Sequence, residues 1–330
     1  MGKAPSHEME STPPSSAPKL TSSFTPPPSH FKSTIGRDSA SEFPAEPNRY
    51  ALYIHLGCPW AHRCLITYKL KQLQPLIALS VVSIHRDGTN GWTYDGTSGS
   101  DATDPVEGFK NFKEMYLKAD PDYQGGYSVP VLWDTKKKTI VNNDSVGIIR
   151  ALFTAFDAFL APELREVNKP GGGLRPDNLL KDIEDLGNEI EANYNWGTYK
   201  CGMASSQADY DGAMKLLFGT LDNLEERLGR NKYLLGDHIT EVDIRTFTTS
   251  VRFDMAYYTL FNCNWKMIRY DYPNLHRWLR NIYYEVDEEA KGAFKSTTHF
   301  EIFMEGYAIS AMRLKLIPWG PSVPIMPLDA

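Results

Sequence analysis

The sequence predicts a chain built in two parts, an α/β half followed by an all-α half. Three observations carry that expectation. Between residues 50 and 84 an apolar strand pattern, a helical pattern and a second strand pattern follow one another. Strand patterns cease after about residue 157. The remainder carries helical spacing only, interrupted by polar and Pro/Gly-containing stretches.

Residues 1–30 hold seven Pro and seven Ser and few large apolar groups. Such a segment buries too little surface to offset its ordering entropy and is expected to be disordered. Its start, Met1 to Ser6, matches the myristoylation pattern, a match that chance readily supplies in a Ser-rich tail. Residues 31–156 are expected to form the first domain, with an N-terminal extension. Residues 157–330 are expected to form the helical domain and a C-terminal tail.

Tyr50 to His55 is apolar and aromatic and suits a buried strand. A turn follows at Gly57-Cys58-Pro59, and Pro59 fits the first turn of a helix, where its missing N–H costs nothing. Trp60, Ala61, Cys64, Leu65, Tyr68 and Leu70 recur at near-helical spacing, with Arg63, Lys69 and Lys71 expected on an outer face. Leu79 to Ile84 reads as a second strand, so the unit is βαβ and its strands are parallel. Residues 86–108 read as a long loop carrying Trp92, and loops of that length are usually functional or disordered. A short helix at 110–119 precedes a strand over Ser128 to Asp134, a lysine turn at 136–138 and a strand over Thr139 to Asn142. A helix from Ser145 to Phe156 closes the first half. The order β-α-β, then α-β-β-α, is the thioredoxin-like arrangement. The second half reads as helices at 177–193, 207–229, 240–262, 273–284 and 298–310. Thr240 to Asp243 has the form of a capping box.

Hydrophobic residues make up 42% of the chain and charged residues 23%, enough for a sizeable core under an ordinary surface. The net charge is -6 with no basic block, which argues against nucleic acid as a partner. No stretch reaches the roughly 20 apolar residues of a membrane span, and no apolar signal core opens the chain. The four cysteines, Cys58, Cys64, Cys201 and Cys263, show no CxxC and no paired metal spacing. A reducing, cytoplasmic setting fits them best.

Cys58 falls between a strand and a helix, where unpaired N–H groups and the positive dipole end face its sulfur. That setting is expected to lower the thiol pKa and enrich the thiolate. Ala61 stands where a resolving cysteine would be, so the site reads as a monothiol that attacks an external sulfur. Cys64 is expected in the core, and Cys201 and Cys263 in the core or partly buried. Val129-Pro130 is expected to be cis and to offer the Val129 backbone to a peptide ligand such as glutathione. Asp144 and Ser145, opening a helix, suit the charged ends of a γ-glutamyl group, although any helix carries such a cap.

The run Cys58-Pro59-Trp60-Ala61-His62-Arg63 resembles the signature of the Xi-class glutathione transferases, or glutathionyl-hydroquinone reductases. Gly91-Trp92, Val129 to Asp134, Tyr199 to Gly202, Thr240 to Arg245, Arg252 to Asp254 and Tyr270 to Leu275 agree with it, over roughly residues 31–321. The resemblance implies a thioredoxin-like domain followed by an all-helical glutathione-transferase domain, usually as a homodimer. It implies glutathione as co-substrate and an aromatic small molecule as substrate. Cys58 would take glutathione from a glutathionyl-hydroquinone as a mixed disulfide, and a second glutathione would release it. Trp92, Val129 and Ser145 would hold glutathione, while Tyr199 and Tyr307 would contact the aromatic group.

The chain departs from the pattern at three places. Gly126 stands where the family has an Arg that would pair with a ligand carboxylate. The usual Glu-Ser pair is Asp144-Ser145. The His-Tyr-x-x-Ser-His character of the C-terminal helix becomes Gly306-Tyr307-Ala308-Ile309-Ser310-Ala311, without its histidines. The substrate side is therefore expected to be wider and less polar than usual. Beside the reductase stand two alternatives: a diverged transferase that conjugates, isomerises or cleaves a specialised aromatic metabolite, and a binding protein with little turnover.

Overall fold

The structure, a computed structural model, describes residues 24–286, 288–312 and 314–329. The myristoylation match and the rest of residues 1–23 lie outside the described residues. Residues 24–30, read from sequence as part of the tail, run extended against the protein. Ser29 Oγ donates to the Asn143 carbonyl at 3.3 Å, and Phe24 packs on Trp196 at 5.9 Å.

The sheet is organised by β1 (Tyr50–His55), which is buried along its whole length. It pairs in parallel with β2 (Ile77–Val82) across the crossover helix α1 (Pro59–Leu70). A hairpin of β3 (Arg86–Asp87) and β4 (Gly91–Trp92) and the helix α2 (Phe112–Ala119) precede β5 (Val131–Asp134). β5 runs antiparallel to β1, and β6 (Thr139–Asn142) antiparallel to β5, giving the order β2-β1-β5-β6. Helix α3 (Ser145–Thr154) follows, with Asp144 as its N-cap.

The long loop after β2 is held by two carboxylates, the buried Asp104 and the partly exposed Asp101. Asp104 accepts hydrogen bonds from the backbone N–H of Val106, Glu107 and Phe109 and from the Tyr53 hydroxyl. Asp101 pairs with the backbone of Val81. Ser83, just after β2, donates its N–H to the Thr93 carbonyl at 2.8 Å and its hydroxyl to Asp95, which ties the chain beside Trp92 to the sheet.

α1 departs from its expected pattern. Arg63 and Lys71 are fully buried, and Lys69 alone of the three basic residues keeps partial exposure. The cause is that α1 has no solvent face: it is packed between the sheet, α3 and the helices of the second half. Each buried cation finds anions there. Lys71 Nζ lies 2.7 Å from Asp157 and 3.0 Å from Glu166.

Beyond α3 come short 3₁₀ turns and then helices. These are α4 (Leu180–Glu189), α5 (Trp196–Gly202), α6 (Gln207–Leu228), α7 (Glu241–Arg252), α8 (Tyr258–Leu260), α9 (Ile268–Asp271), α10 (Pro273–Tyr283) and α11 (Phe300–Glu305). Three are extended by π-helical turns that simple periodicity does not anticipate. Ile190–Asn195 joins α4 to α5, Phe253–Tyr257 joins α7 to α8, and Gly306–Ala311 follows α11. The capping box at Thr240 and Asp243 is present, and Asp243 also accepts from Trp278 Nε1 at 3.0 Å. Among the described residues no helix is long and apolar enough to cross a membrane.

The two halves are joined through Glu191. Its carboxylate accepts from Arg63 Nη1 at 2.9 Å, Trp60 Nε1 at 2.9 Å and Asn195 Nδ2 at 3.0 Å. Arg245 Nη2 stands 3.4 Å away. Burial opposes its charge, but Arg63, Arg245 and these hydrogen bonds prevail and hold the carboxyl at about 2 against an ordinary 4.5. A depressed carboxyl stabilises the fold fully above the unfolded value, and that contribution is lost as pH falls through the folded one. Glu191→Gln should therefore destabilise the protein at pH 7 by on the order of 3 kcal/mol, because Arg63 is left buried without its counter-charge. It should also flatten the loss of stability between pH 4.5 and about 2, read from urea midpoints. Parallel acid profiles in the two proteins would refute this role.

Candidate active site

β1 ends at His55 and α1 begins at Pro59, so the short turn Leu56-Gly57 delivers Cys58 as the N-cap of α1. Its sulfur accepts from the Ala61 N–H at 3.5 Å. On the other side Sγ lies 3.8 Å from the Val129 carbonyl, to which the thiol donates. The Val129–Pro130 bond is cis, as the sequence leads one to expect. The Val129 N–H has no hydrogen-bond partner among the described residues, which leaves a main-chain donor free beside the thiol. Cys58 is partly exposed, whereas Cys64, Cys201 and Cys263 are buried.

Cys58 packs against both apolar clusters of the protein. One contains Val129 and Trp92; the other contains Tyr199 and Tyr307. That junction corrects the expected acidity. Burial is the larger effect and pushes the Cys58 thiol up, while the N–H groups of Ala61 and Trp60, Arg252 and Arg63 pull it down. The helix N-terminus does act on the sulfur, but it does so within apolar surroundings that disfavour a thiolate.

Arg252, at the end of α7, supplies the cation beneath the turn. It donates to the Thr248 carbonyl at 2.7 Å, to His62 Nδ1 at 2.9 Å and to the Gly57 carbonyl at 3.4 Å. His62 Nδ1 thus accepts, so its Nε2 carries the proton toward Thr297 Oγ1 at 2.9 Å. Burial, then Arg252, keeps the His62 imidazole neutral.

Tyr199 and Tyr307, 108 residues apart, meet with their hydroxyl oxygens 3.2 Å apart. A third tyrosine, Tyr257, closes to 2.6 Å on Tyr307. Burial raises all three phenols, and the Cys58 charge raises Tyr199 and Tyr307 further. Arg252 and the Tyr199 hydroxyl ease the ionisation of both Tyr257 and Tyr307, and the Tyr257 hydroxyl eases that of Tyr307 as well. Tyr307 is the hub of the cluster, its hydroxyl within hydrogen-bond distance of both others. Trp60 stacks on Trp196 at 3.9 Å and leans on Tyr199 at 5.0 Å, completing an aromatic wall.

On the opposite side Trp92 stacks on His55 at 4.6 Å, with the Arg86 guanidinium 5.0 Å from the indole ring. Asp144 caps α3 through Oδ2, which accepts from the Gly147 N–H at 2.8 Å; its Oδ1 accepts nothing among the described residues. Ser145 is buried, with its hydroxyl 3.3 Å from Arg63 Nη1. A Cβ at Gly126 would meet no atom within 4 Å. Gly126 therefore borders open space, with no side chain to fill it.

Sequence reasoning did not single out His55, Glu191 or Tyr257. Arg252 was marked as part of a motif, without a role. Tyr257 follows Arg252 by five residues, a spacing that places it off that face of a straight α-helix. The π-turn brings it back, and nothing in the sequence announces the turn.

The chain matches the family models described as "Glutathione S-transferase, N-terminal domain" over residues 57–155 and "Glutathione S-transferase, C-terminal domain" over residues 207–281. It is 38% identical over 284 residues to glutathione S-transferase omega-like 2 of Schizosaccharomyces pombe, covering 84% of this chain and 87% of that protein. It is 44% identical over 248 residues to glutathionyl-hydroquinone reductase YqjG of Escherichia coli, covering 75% of this chain and 73% of that one. The crystal structure of the Xi glutathione S-transferase of Phanerochaete chrysosporium superimposes with a TM-score of 0.85 at 40% identity, over 93% of this chain and 100% of that chain. The glutathione-bound structure of YqjG gives 0.80 at 39% identity, over 90% of this chain and 95% of that chain.

The exposures and charges around the thiols fix an order of reactivity. Iodoacetamide should label Cys58 first of the four, as located by peptide mass spectrometry. The pH profile of that labelling should inflect above the ordinary thiol value of about 8.5. An inflection below neutrality would mean that Arg252 and the helix N–H groups outweigh burial.

Proposed function

The chain belongs to the Xi-class glutathione transferases, and on that footing we propose that it removes glutathione from aromatic, hydroquinone-type conjugates through a Cys58–glutathione mixed disulfide. The observation that carries the proposal is the single thiol set between a free main-chain donor at Val129 and the hydroxyls of Tyr199 and Tyr307. Glutathione is the co-substrate of this family. Here it would pair with the Val129 backbone ahead of Pro130, lie against Trp92, and present its γ-glutamyl end to Asp144 and Ser145. The free Oδ1 of Asp144 suits an ammonium group, and the N-terminus of α3 suits a carboxylate.

In the first step the Cys58 thiolate attacks the glutathione sulfur of the conjugate. An S–S bond forms and the S–C bond to the ring breaks. The electron pair stays on the ring carbon, which takes up a proton. Both sulfurs end at the disulfide level and the ring carbon is reduced. Tyr307 supplies that proton, and its two hydroxyl neighbours with Arg252 stabilise the transient phenolate. In the second step a free glutathione thiolate attacks the mixed disulfide. Oxidised glutathione leaves and the Cys58 thiolate returns. The sum is conjugate plus glutathione to quinol plus glutathione disulfide, which balances.

Residues 31–156 serve as the glutathione-binding domain and 157–330 as the substrate domain in this reading. The protein would act as a homodimer in the cytoplasm, where glutathione is kept reduced and a catalytic thiol survives between turnovers.

The decisive experiment is incubation with glutathionyl-menadiol and glutathione, following free quinol and glutathione disulfide by chromatography. Equimolar release is expected, and Cys58→Ser should abolish it. No release by the parent protein, or conjugation by Cys58→Ser at or above the parent level, would favour a diverged transferase instead. Tyr307→Phe should lower kcat roughly a hundredfold, with Tyr257→Phe milder. An unchanged kcat in Tyr307→Phe would remove the proton-donor role.

A second expected outcome concerns Gly126. A side chain there meets no steric barrier. A well-formed charge-assisted hydrogen bond contributes roughly 1.5–3 kcal/mol. Gly126→Arg should therefore tighten glutathione about tenfold or more by calorimetry. Unchanged affinity would mean that the ligand carboxylate already has a cation.

A further inference from the structure

His55 is 5% exposed, and neither ring nitrogen has a hydrogen-bond partner among the described residues. An imidazole buried in that way loses its bonds to water and gains none in return, so it normally finds a partner. Its surroundings explain where a partner would come from. One face of the ring lies on Trp92 at 24°. The Nδ1–Cε1–Nε2 edge points away from that stack toward two glycines. A Cβ built on Gly57 would stand 2.6 Å from Cε1, 3.3 Å from Nδ1 and 3.4 Å from Nε2. A Cβ built on Gly306 would stand 3.8 Å from Cε1. The imidazole thus fits because Gly57 lacks a side chain, and it reaches the helix turn where the family's histidine is missing.

We propose that His55 takes over from the histidine lost at position 306, entering the cleft from the β1 side to hydrogen-bond a hydroxyl of the aromatic group. The proposal rests on the reading of the site as one for quinol conjugates. It revises the expectation that loss of the C-terminal histidines leaves the substrate side less polar, because the polar contact has moved to the opposite wall. Burial, with Arg252 and His85 near by, holds the ring pKa down at about 3. The imidazole is therefore neutral and keeps one nitrogen as an acceptor for a phenolic O–H. A site built around such a contact discriminates against ligands that lack the hydroxyl, since the buried nitrogen is then left unpaired.

The test uses the Cys58→Ser protein, so that ligands are not consumed, and reads dissociation constants by tryptophan fluorescence. Two ligands are compared: glutathionyl-hydroquinone, which carries hydroxyls, and S-phenylglutathione, which does not. His55→Phe keeps a ring on Trp92 and removes both nitrogens. It should weaken the quinol conjugate about tenfold and leave S-phenylglutathione within about twofold. In a His55→Ala background, which weakens the quinol conjugate likewise, Gly306→His should restore most of the loss. Should His55→Phe fail to fold, as judged by circular dichroism, the Ala and Ala/His proteins carry the same comparison. Equal weakening of both ligands would reduce His55 to packing, and no weakening of either would remove it from the site. Failure of His55→Ala/Gly306→His to recover the quinol conjugate would overturn the exchange. None of these readings depends on turnover, so absence of quinol release by the parent protein would defeat the proposed reaction separately.

Discussion

A guanidinium with no access to water governs this molecule. Arg63 is buried on α1, just over one turn beyond Cys58, and a buried cation is tolerable only where an anion meets it. Glu191 supplies the anion from the helical half, and the same Nη1 also reaches Ser145 on α3. One nitrogen therefore refers three pieces of chain to one another: the thiol helix, the helix that would cradle the γ-glutamyl group, and the helix that continues to Tyr199. Glu191 in turn fixes the Trp60 indole and leans on Arg245. The Arg245 side chain fits because Gly187 has no Cβ, which would stand 2.4 Å from Nη1. Moving any of these would shift the thiol relative to its aromatic wall.

The wall has its own device. Each helix that reaches the cleft from the second half changes from α to π winding near it. A π-turn takes one more residue than an α-turn, so every side chain beyond it is rotated to a new face, and such turns are frequent at functional sites. Glu191 lies within the first, Tyr257 in the second and Tyr307 in the third. Three separate adjustments of phase bring together hydroxyls from segments that regular helices would aim elsewhere.

How much of this was legible follows from the physics of each feature. The strand-turn-helix at Cys58 is local: a buried apolar strand, Pro59 at the first helical position and a cysteine at the cap all act within a few residues. The capping box at Thr240 was readable for the same reason, whereas the cis bond at Val129–Pro130 was readable only through the thioredoxin-like order of elements that places it opposite the Cys58 turn. Arg63 and Lys71 were misjudged because a charge on a helix normally faces water, and only long-range partners such as Glu191 and Glu166 reverse that rule. The thiol's acidity was misjudged for a related reason. The helix terminus is visible in sequence, while the apolar junction that opposes it is made of residues far apart in the chain. The π-turns leave no mark in hydrophobic periodicity, so Tyr257 was missed although Tyr199 and Tyr307 were found by resemblance. His55 looked like one more residue of a buried strand, because the glycine that makes room for it, Gly57, reads simply as part of a turn.

The edges of the sheet carry a different consequence. Beside β6, Ser33 N–H donates to the Val141 carbonyl and Asn143 N–H to the Phe31 carbonyl, so the N-terminal segment lies along that margin. Beside β2, Asp101 and Thr93 bond to the backbone of Val81 and Ser83. Both margins of the sheet are thus partly occupied by the chain's own irregular segments, which is how soluble sheets avoid templating further strands. A second copy of this protein meets no long open margin to prolong. Any pair it forms must rest on side chains rather than on a shared ladder, so its strength will answer to surface substitutions and salt instead of to backbone register.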